Sequence, residues 1–289
     1  MALTSPRPRP LRIRRLLVAA SLLALALGGA GCDFFGFGSG TGGPKMRVDP
    51  NNVQESARLA YFEGMKDLVS GNYTAAVAQF NVVARSPKYV HYAALARLRI
   101  GDALFLQERY KEAIQTYRAF MGQYESDPNL PYARYRIASC YVEQMPDEWF
   151  LSVPSEEIDQ QTTREAVREL TEFLNLFPTS RFAGDGRRML VEARQMLFEH
   201  ELFVAEYYED RDLWRAVAWR LDEAIRDFRD LALTPEIVLR MSDAYAEAGD
   251  VGDAIRGLGL YLDSFPDDPQ RGQVEARLAE LQAQLGPAS

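Results

Sequence analysis

From Asn52 onward the apolar residues recur every three or four positions, in segments of a dozen or more residues separated by short breaks of Gly, Pro, Asn or Asp. Sustained period-two alternation is missing, so the pattern predicts helices and not strands. It places them near 54–70 and 74–85, 89–106 and 110–124, 131–144 and 162–177, 181–210 and 212–229, 235–248 and 251–264, with a last helix near 270–285. The segment MPDEWFLSVPSEEIDQQ (145–161) breaks the rhythm, because it is polar and interrupted by proline. It reads as an insertion, with Trp149 and Phe150 either tucked against the helices or kept for a partner.

The helical segments repeat. GNYTAAVAQFNVVARSP (71–87), ERYKEAIQTYRAFMGQYESDP (108–128), TTREAVRELTEFLNLFP (162–178) and GDVGDAIRGLGLYLDSFP (249–266) share one order. Each has a turn, an Ala, and a large residue four positions after the Ala. The anchoring alanines are Ala76, Ala113, Ala166 and Ala254, and DLWRAVAWR supplies a fifth at Ala216, giving separations of 37, 53, 50 and 38 residues. Tetratricopeptide repeats run at about 34 residues, so the outer pairs fit and the middle ones carry insertions. Gly64 and Gly101 stand twelve residues before Ala76 and Ala113, where two antiparallel helices approach closely only if one presents a hydrogen or a methyl. The predicted fold is all-α: a superhelical solenoid of about five tetratricopeptide-like helix pairs with a C-terminal helix capping the last. Residues 53–180 form N-terminal repeats 1–3, with the insertion 145–161, and residues 181–289 form repeats 4–5 and the cap.

The first 52 residues are different. Arg7, Arg9, Arg12, Arg14 and Arg15 precede the apolar run Leu16–Leu27, then GGAG and Cys32. That is the order of an export signal, too short to span a bilayer comfortably. Cys32 sits where lipoprotein signal peptidase would leave it as a new N-terminus, so residues 1–31 read as a lipoprotein signal and Cys32 as the lipidation site. Gly29 stands where the cleavage motif usually has Leu, and Asp33 resembles an inner-membrane retention signal. Residues 32–52 form a Gly-rich tether; its GSGTGG follows no strand, so its dinucleotide-loop spacing is accidental.

Losing residues 1–31 removes five basic residues and no acid, which leaves 28 bases against 41 acids and a formal charge of −13. Phosphate binding needs a concentrated basic surface, so nucleic acid is excluded as a partner. With two histidines (His91, His200) and one cysteine beyond Cys32 (Cys140), no metal site or Cys/His pair is legible, and no hydrolase or phosphate-loop motif occurs. The reading is a non-enzyme with no cofactor other than a covalent lipid on Cys32.

The lipid cysteine, the glycine tether, five repeats, DPNLPYARYRIASCYVEQM (127–145) and especially LFEHELFVAEYYEDRDLWRAVAWRL (197–221) together resemble the BamD (YfiO/ComL) family of outer-membrane β-barrel assembly lipoproteins. The resemblance covers essentially the whole mature chain. It implies a lipid-anchored scaffold on the outer membrane, facing the periplasm, whose partners are a BamA-like barrel protein bound through its POTRA domain, other lipoproteins of the complex and unfolded outer-membrane proteins. Arg220 matches the family's arginine that pairs with an acid of BamA, and Arg211, Tyr207 and Glu206 are assigned to the same patch. In repeat four Arg220 is read as standing where a large apolar residue is due, four after Ala216. His200, Phe203, Val204, Tyr207 and Arg211 share one helical side, where Phe203 and Val204 are expected to pack on the next helix. The client groove is expected on the first helices of repeats one and two, at Tyr61, Tyr92, Arg99 and Phe105. RDFRDLALTPE lacks the closing proline, so the turn into repeat five is expected to differ. A generic envelope adaptor, linked to a secretin or peptidoglycan, is the alternative.

Overall fold

The computed structural model describes residues 53–85, 90–146 and 160–285. Cys32, the signal, the tether, the side chain of His91, and Trp149 and Phe150 of the insertion lie outside the described residues. Among those described there are twelve helices and no strand. They are α1 (Val53–Val69), α2 (Tyr73–Ala84), α3 (Val90–Leu106), α4 (Tyr110–Gln123), α5 (Leu130–Val142), α6 (Gln161–Leu176), α7 (Ala183–Glu209), α8 (Trp214–Asp227), α9 (Arg229–Ala232), α10 (Pro235–Glu247), α11 (Val251–Ser264) and α12 (Arg271–Leu285). Consecutive helices pack on one another along the chain, the short α9 against α8, and α12 lies on α10 and α11 at the end.

The repeat is more regular than the alanines suggested. Ala76, Ala113, Ala166 and Ala254 are fully buried, but in repeat four the buried residue at this position is Val217, while Ala216 is half-exposed. α8 begins at Trp214, three residues before Val217, as α2, α4 and α11 begin three residues before their alanines. The large residues four positions on are then Phe80, Tyr117, Leu170, Leu221 and Leu258, all fully buried. In the first helices the small buried residues are Gly64, Gly101, Ala138, Ala205 and Ser242. The period is 37 residues, running from 64 to 101 to 138 and from 205 to 242, and equally from 76 to 113 and from 217 to 254.

Two additions hide that period. Sixteen extra residues fall in repeat three, where the insertion separates α5 from α6, and 14 fall in repeat four. The latter are helical: α7 has 27 residues, so the addition corresponds to about four turns. Its first half packs Gly186 against Phe173 of α6, while its second half contributes Ala205 to the repeat-four core.

The turns obey the same period. The residue two before the second helix is left-handed in four repeats: Gly71 at φ 80°, Glu108 at 61°, Asp212 at 55° and Gly249 at 83°. Glycine adopts this conformation freely, whereas Glu108 and Asp212 hold it against their Cβ atoms. The turn into repeat five does differ: α9 replaces the closing proline, burying Ala232 and Leu233. Thr234 then caps α10, its Oγ1 accepting from the Ile237 amide at 3.4 Å, with Pro235 in the first turn.

Candidate functional site

Repeat four presents its polar residues at the junction of α7 and α8. The α7 residues that enter the core are Leu197, Phe198 and Ala205, with Leu202 and Tyr208 half-buried against them. Phe203 and Val204 are half-buried on the neighbouring side, with His200 and Tyr207, and Arg211 is exposed. The aromatic and arginine side of this helix is therefore the half-open one, contrary to the packing expected for Phe203 and Val204.

Because the repeat register is set by Val217, Leu221 fills the apolar position and Arg220 stands one residue earlier, at the edge of the helix pair. This corrects the reading of Arg220 as a replacement for a core residue. Its side chain is 37% exposed, and its Nη1 donates to Oε2 of Glu201 at 3.2 Å and of Glu223 at 3.5 Å. Glu201 lies on α7 and is 14% exposed. Burial pushes its carboxyl above the usual range, with Glu223 adding to the rise and Arg220 opposing it. Next to Arg220 on α8, Trp219 is 62% exposed.

Arg211 and Tyr207 form a second cluster. The Arg211 guanidinium lies 3.5 Å from the centroid of the Tyr207 ring, and its Nη1 donates to the Tyr207 carbonyl at 2.9 Å. Glu206 is exposed nearby. Glu201 and Arg211 are ten residues apart, about 15 Å along a helix at ~1.5 Å per residue, so the expected patch divides into two. Glu201 and Trp219 were not anticipated. Only the turn register, which puts Trp219 off the buried stripe, could have signalled the latter.

His200 carries a pH signature. Burial, then the positive charges of Arg164 and Arg220, lower its pKa below 6.5. The unfolded chain therefore binds more protons below about pH 6.5, and the stability due to neutral His200, complete above that pH, is lost as pH falls through the folded value. Between pH 7.5 and 5.5 the denaturant midpoint of the wild type is expected to fall more than that of His200→Gln. Equal falls would remove the histidine from the account. Glu201 has the opposite sign, its contribution being lost as pH rises through its raised pKa, and it is present in both proteins.

The four residues expected in a client groove are brought together, but inside the protein. Tyr61, Arg99 and Phe105 are buried, and Tyr92 is half-buried with its ring 5.7 Å from that of Tyr61. Arg99 donates through Nη1 to Asp102 Oδ2 at 2.7 Å and through Nε to the Tyr61 hydroxyl at 3.3 Å. Asp102 Oδ1 accepts from the hydroxyls of Tyr117 and Tyr132, each at 2.6 Å. Arg136 Nε donates to the Tyr117 hydroxyl at 3.2 Å and lies 3.5 Å from Asp102 Oδ1, and its guanidinium lies 3.7 Å from the Phe105 ring centroid. Burial pushes both phenols well above their ordinary range, which keeps them as donors. Two guanidiniums thus share one carboxylate in a network joining α1, α3, α4 and α5. A residue here meets other repeats before it meets a ligand. Cys140, raised to about 12 mainly by burial, is an unreactive filler of this region.

Helix pairs in a common register, seamed by small residues and carrying their polar groups at the pair edges, define a helical-repeat scaffold of the tetratricopeptide type. The chain belongs to the YfiO outer membrane lipoprotein family, whose profile matches residues 53–255. Its relatives include "Outer membrane protein assembly factor BamD" of Caulobacter vibrioides, 27% identical over 215 residues, which spans 74% of this chain and 68% of that protein. The protein of the same name from Neisseria meningitidis serogroup A is 25% identical over 218 residues, or 74% and 81% of the two chains. These relatives are named as assembly factors, and the chain is a non-enzymatic member of their family. Among solved structures, the TPR2AB domain complex of yeast Sti1 aligns at 14% identity with a TM-score of 0.41, covering 80% of this chain and 85% of that one. The MamA protein aligns at 12% identity with a TM-score of 0.32, over 76% and 96%.

Proposed function

We propose that the mature chain, anchored by lipid on Cys32, is a periplasm-facing scaffold of the β-barrel assembly complex. In this reading it binds the POTRA region of a BamA-like barrel protein and meets other lipoproteins of the complex. Its N-terminal repeats receive the C-terminal signal of unfolded barrel clients. The observation that carries the reading is the family match through residues 53–255, which contains every repeat-four residue named above. The position of Arg220 supports it: an arginine side chain more than a third exposed, beside an exposed Trp219, can hold a partner carboxylate while Glu201 fixes its orientation. More than one acyl chain on Cys32, with each buried CH₂ contributing about 0.8 kcal/mol, makes the anchor stable.

The test is recovery of partners from the envelope fraction by wild type, Arg220→Gln and Arg220→Glu. Wild type is expected to bring down a POTRA-containing barrel protein. Arg220→Gln should weaken that recovery and Arg220→Glu should abolish it, with circular dichroism unchanged. If the barrel protein is absent even with wild type, the assembly reading fails. Undiminished recovery with both variants removes Arg220 from the contact.

A further inference from the structure

We propose that the cleft between α2, α3 and α4 is a binding site for an acidic peptide in extended conformation, with Arg85 and Arg97 receiving its side-chain carboxylates. The cleft is open to solvent and measures about 410 Å³, within the range of about 300–1,000 Å³ usual for ligand clefts. Arg97 is two residues from the buried Arg99 and therefore points to a different side of α3. In this strongly acidic protein, Arg85 and Arg97 both line one cleft, and among the described residues neither has an acidic partner. Arg97 is half-buried, and among the described residues its Nε, itself out of contact with solvent, has no hydrogen-bond acceptor. A carboxylate is the acceptor that suits a guanidinium best. Glu112 also lines the cleft, but its carboxylate is held by Arg109, whose Nε donates to Oε1 at 2.8 Å.

The rest of the lining argues for a peptide. Ile100 and Leu104 give an apolar floor for side chains that alternate with the acidic ones. The rim supplies acceptors for peptide amides. Asn81 spends its Nδ2 on the Val77 carbonyl at 2.9 Å, which leaves Oδ1 free to accept. Thr116 spends its hydroxyl proton on the Glu112 carbonyl at 2.8 Å and keeps its lone pairs. A phosphate headgroup has no run of N–H donors to use these oxygens. The site shares no residue with the Arg220 corner, so it stands or falls separately from the assembly reading.

The test uses the full mature chain and an end-blocked, fluorescein-labelled peptide of alternating glutamate and valine, followed by anisotropy. Saturable binding is expected, weakened at least tenfold when the glutamates are replaced by glutamines. The same weakening is expected in the double variant Arg85→Gln with Arg97→Gln. Ala119→Glu, at an exposed position lining the cleft, should weaken binding as well and guards against loss of fold in the arginine variants. Arg220→Gln should bind like wild type. No saturable binding, equal binding of the glutamine peptide, or binding untouched by these cleft variants would overturn the site. Peptide displaced by phosphatidylglycerol vesicles, with vesicle binding lost in the same variants, would overturn it in favour of a lipid phosphate. Affinity only for a peptide with a free C-terminal carboxylate would overturn the assignment to side-chain acids.

Discussion

Asp102→Ala is expected to lower the unfolding free energy by roughly 3–5 kcal/mol, because it leaves buried charge without its counter-ion. For a repeat array of this size that corresponds to a fall in Tm of about 6–20 °C. The carboxylate is completely buried and is the acceptor for Arg99, Tyr117 and Tyr132, with Arg136 at 3.5 Å. Removing it leaves two buried guanidiniums without a carboxylate, and among the described residues the Arg136 Nη2 already has no acceptor. Tyr132→Phe is the comparison. It removes one hydroxyl and leaves Asp102 bound by Arg99 and Tyr117, so the loss is expected near 1 kcal/mol. Urea unfolding of both variants checks the ratio. A cost for Asp102→Ala no greater than that for Tyr132→Phe would show that the two arginines do not depend on this carboxylate.

The same network explains why the candidate client residues were misplaced by sequence reasoning. Arg99 and Asp102 are three apart, as in many exposed helix pairs worth a few tenths of a kcal/mol. Nothing local distinguishes a buried pair from a solvated one. The distinction comes from Tyr61 on α1, Tyr117 on α4 and Tyr132 on α5, which are 38, 15 and 30 residues from their partners. By contrast the helices were legible, since their amphipathic period is local and extends over several turns. Their boundaries agree with expectation to within a few residues, apart from the four-residue α9.

Repeat four shows where residue types run out as a guide. In RAVAWRL the core residue is Val217, flanked by Ala216 and Ala218, so the search for an anchoring alanine lands one position early. A slip of one residue turns a helix by ~100°, which is enough to place Arg220 in the core. The cue to the true register is a backbone angle: Asp212 is left-handed two residues before α8, as Gly71 and Gly249 are before α2 and α11. Glycine advertises that conformation in a sequence, and aspartate does not. The 14 residues added in repeat four are hidden for a related reason. They continue α7 without a break, so only the period, and no change of texture, betrays them.

The close approach of the first and second helices gives the second large expectation. Gly101→Val should destabilise by about 3 kcal/mol, at the upper end of the usual cost of overpacking. A Cβ at residue 101 would lie 2.5 Å from Cε1 and 2.7 Å from Cζ of Tyr117. That ring has no freedom to retreat, because its hydroxyl donates to Asp102 and accepts from Arg136. Gly257 looks tighter by distance alone, since a Cβ there would lie 2.1 Å from Met241 Cε. The obstacle in that case is the terminal methyl of an unbranched side chain with three rotatable bonds, which can swing aside. Replacing a mid-helix glycine by alanine also gains about 1 kcal/mol of helix propensity. Gly257→Ala is therefore expected to be near neutral in the same unfolding assay, despite the shorter distance. If Gly101→Val were as mild as Gly257→Ala, the Tyr117 ring would have to be mobile, and the polar network around Asp102 could not be holding it. The two substitutions together thus test whether the hydrogen bonds of repeat two fix its helix spacing.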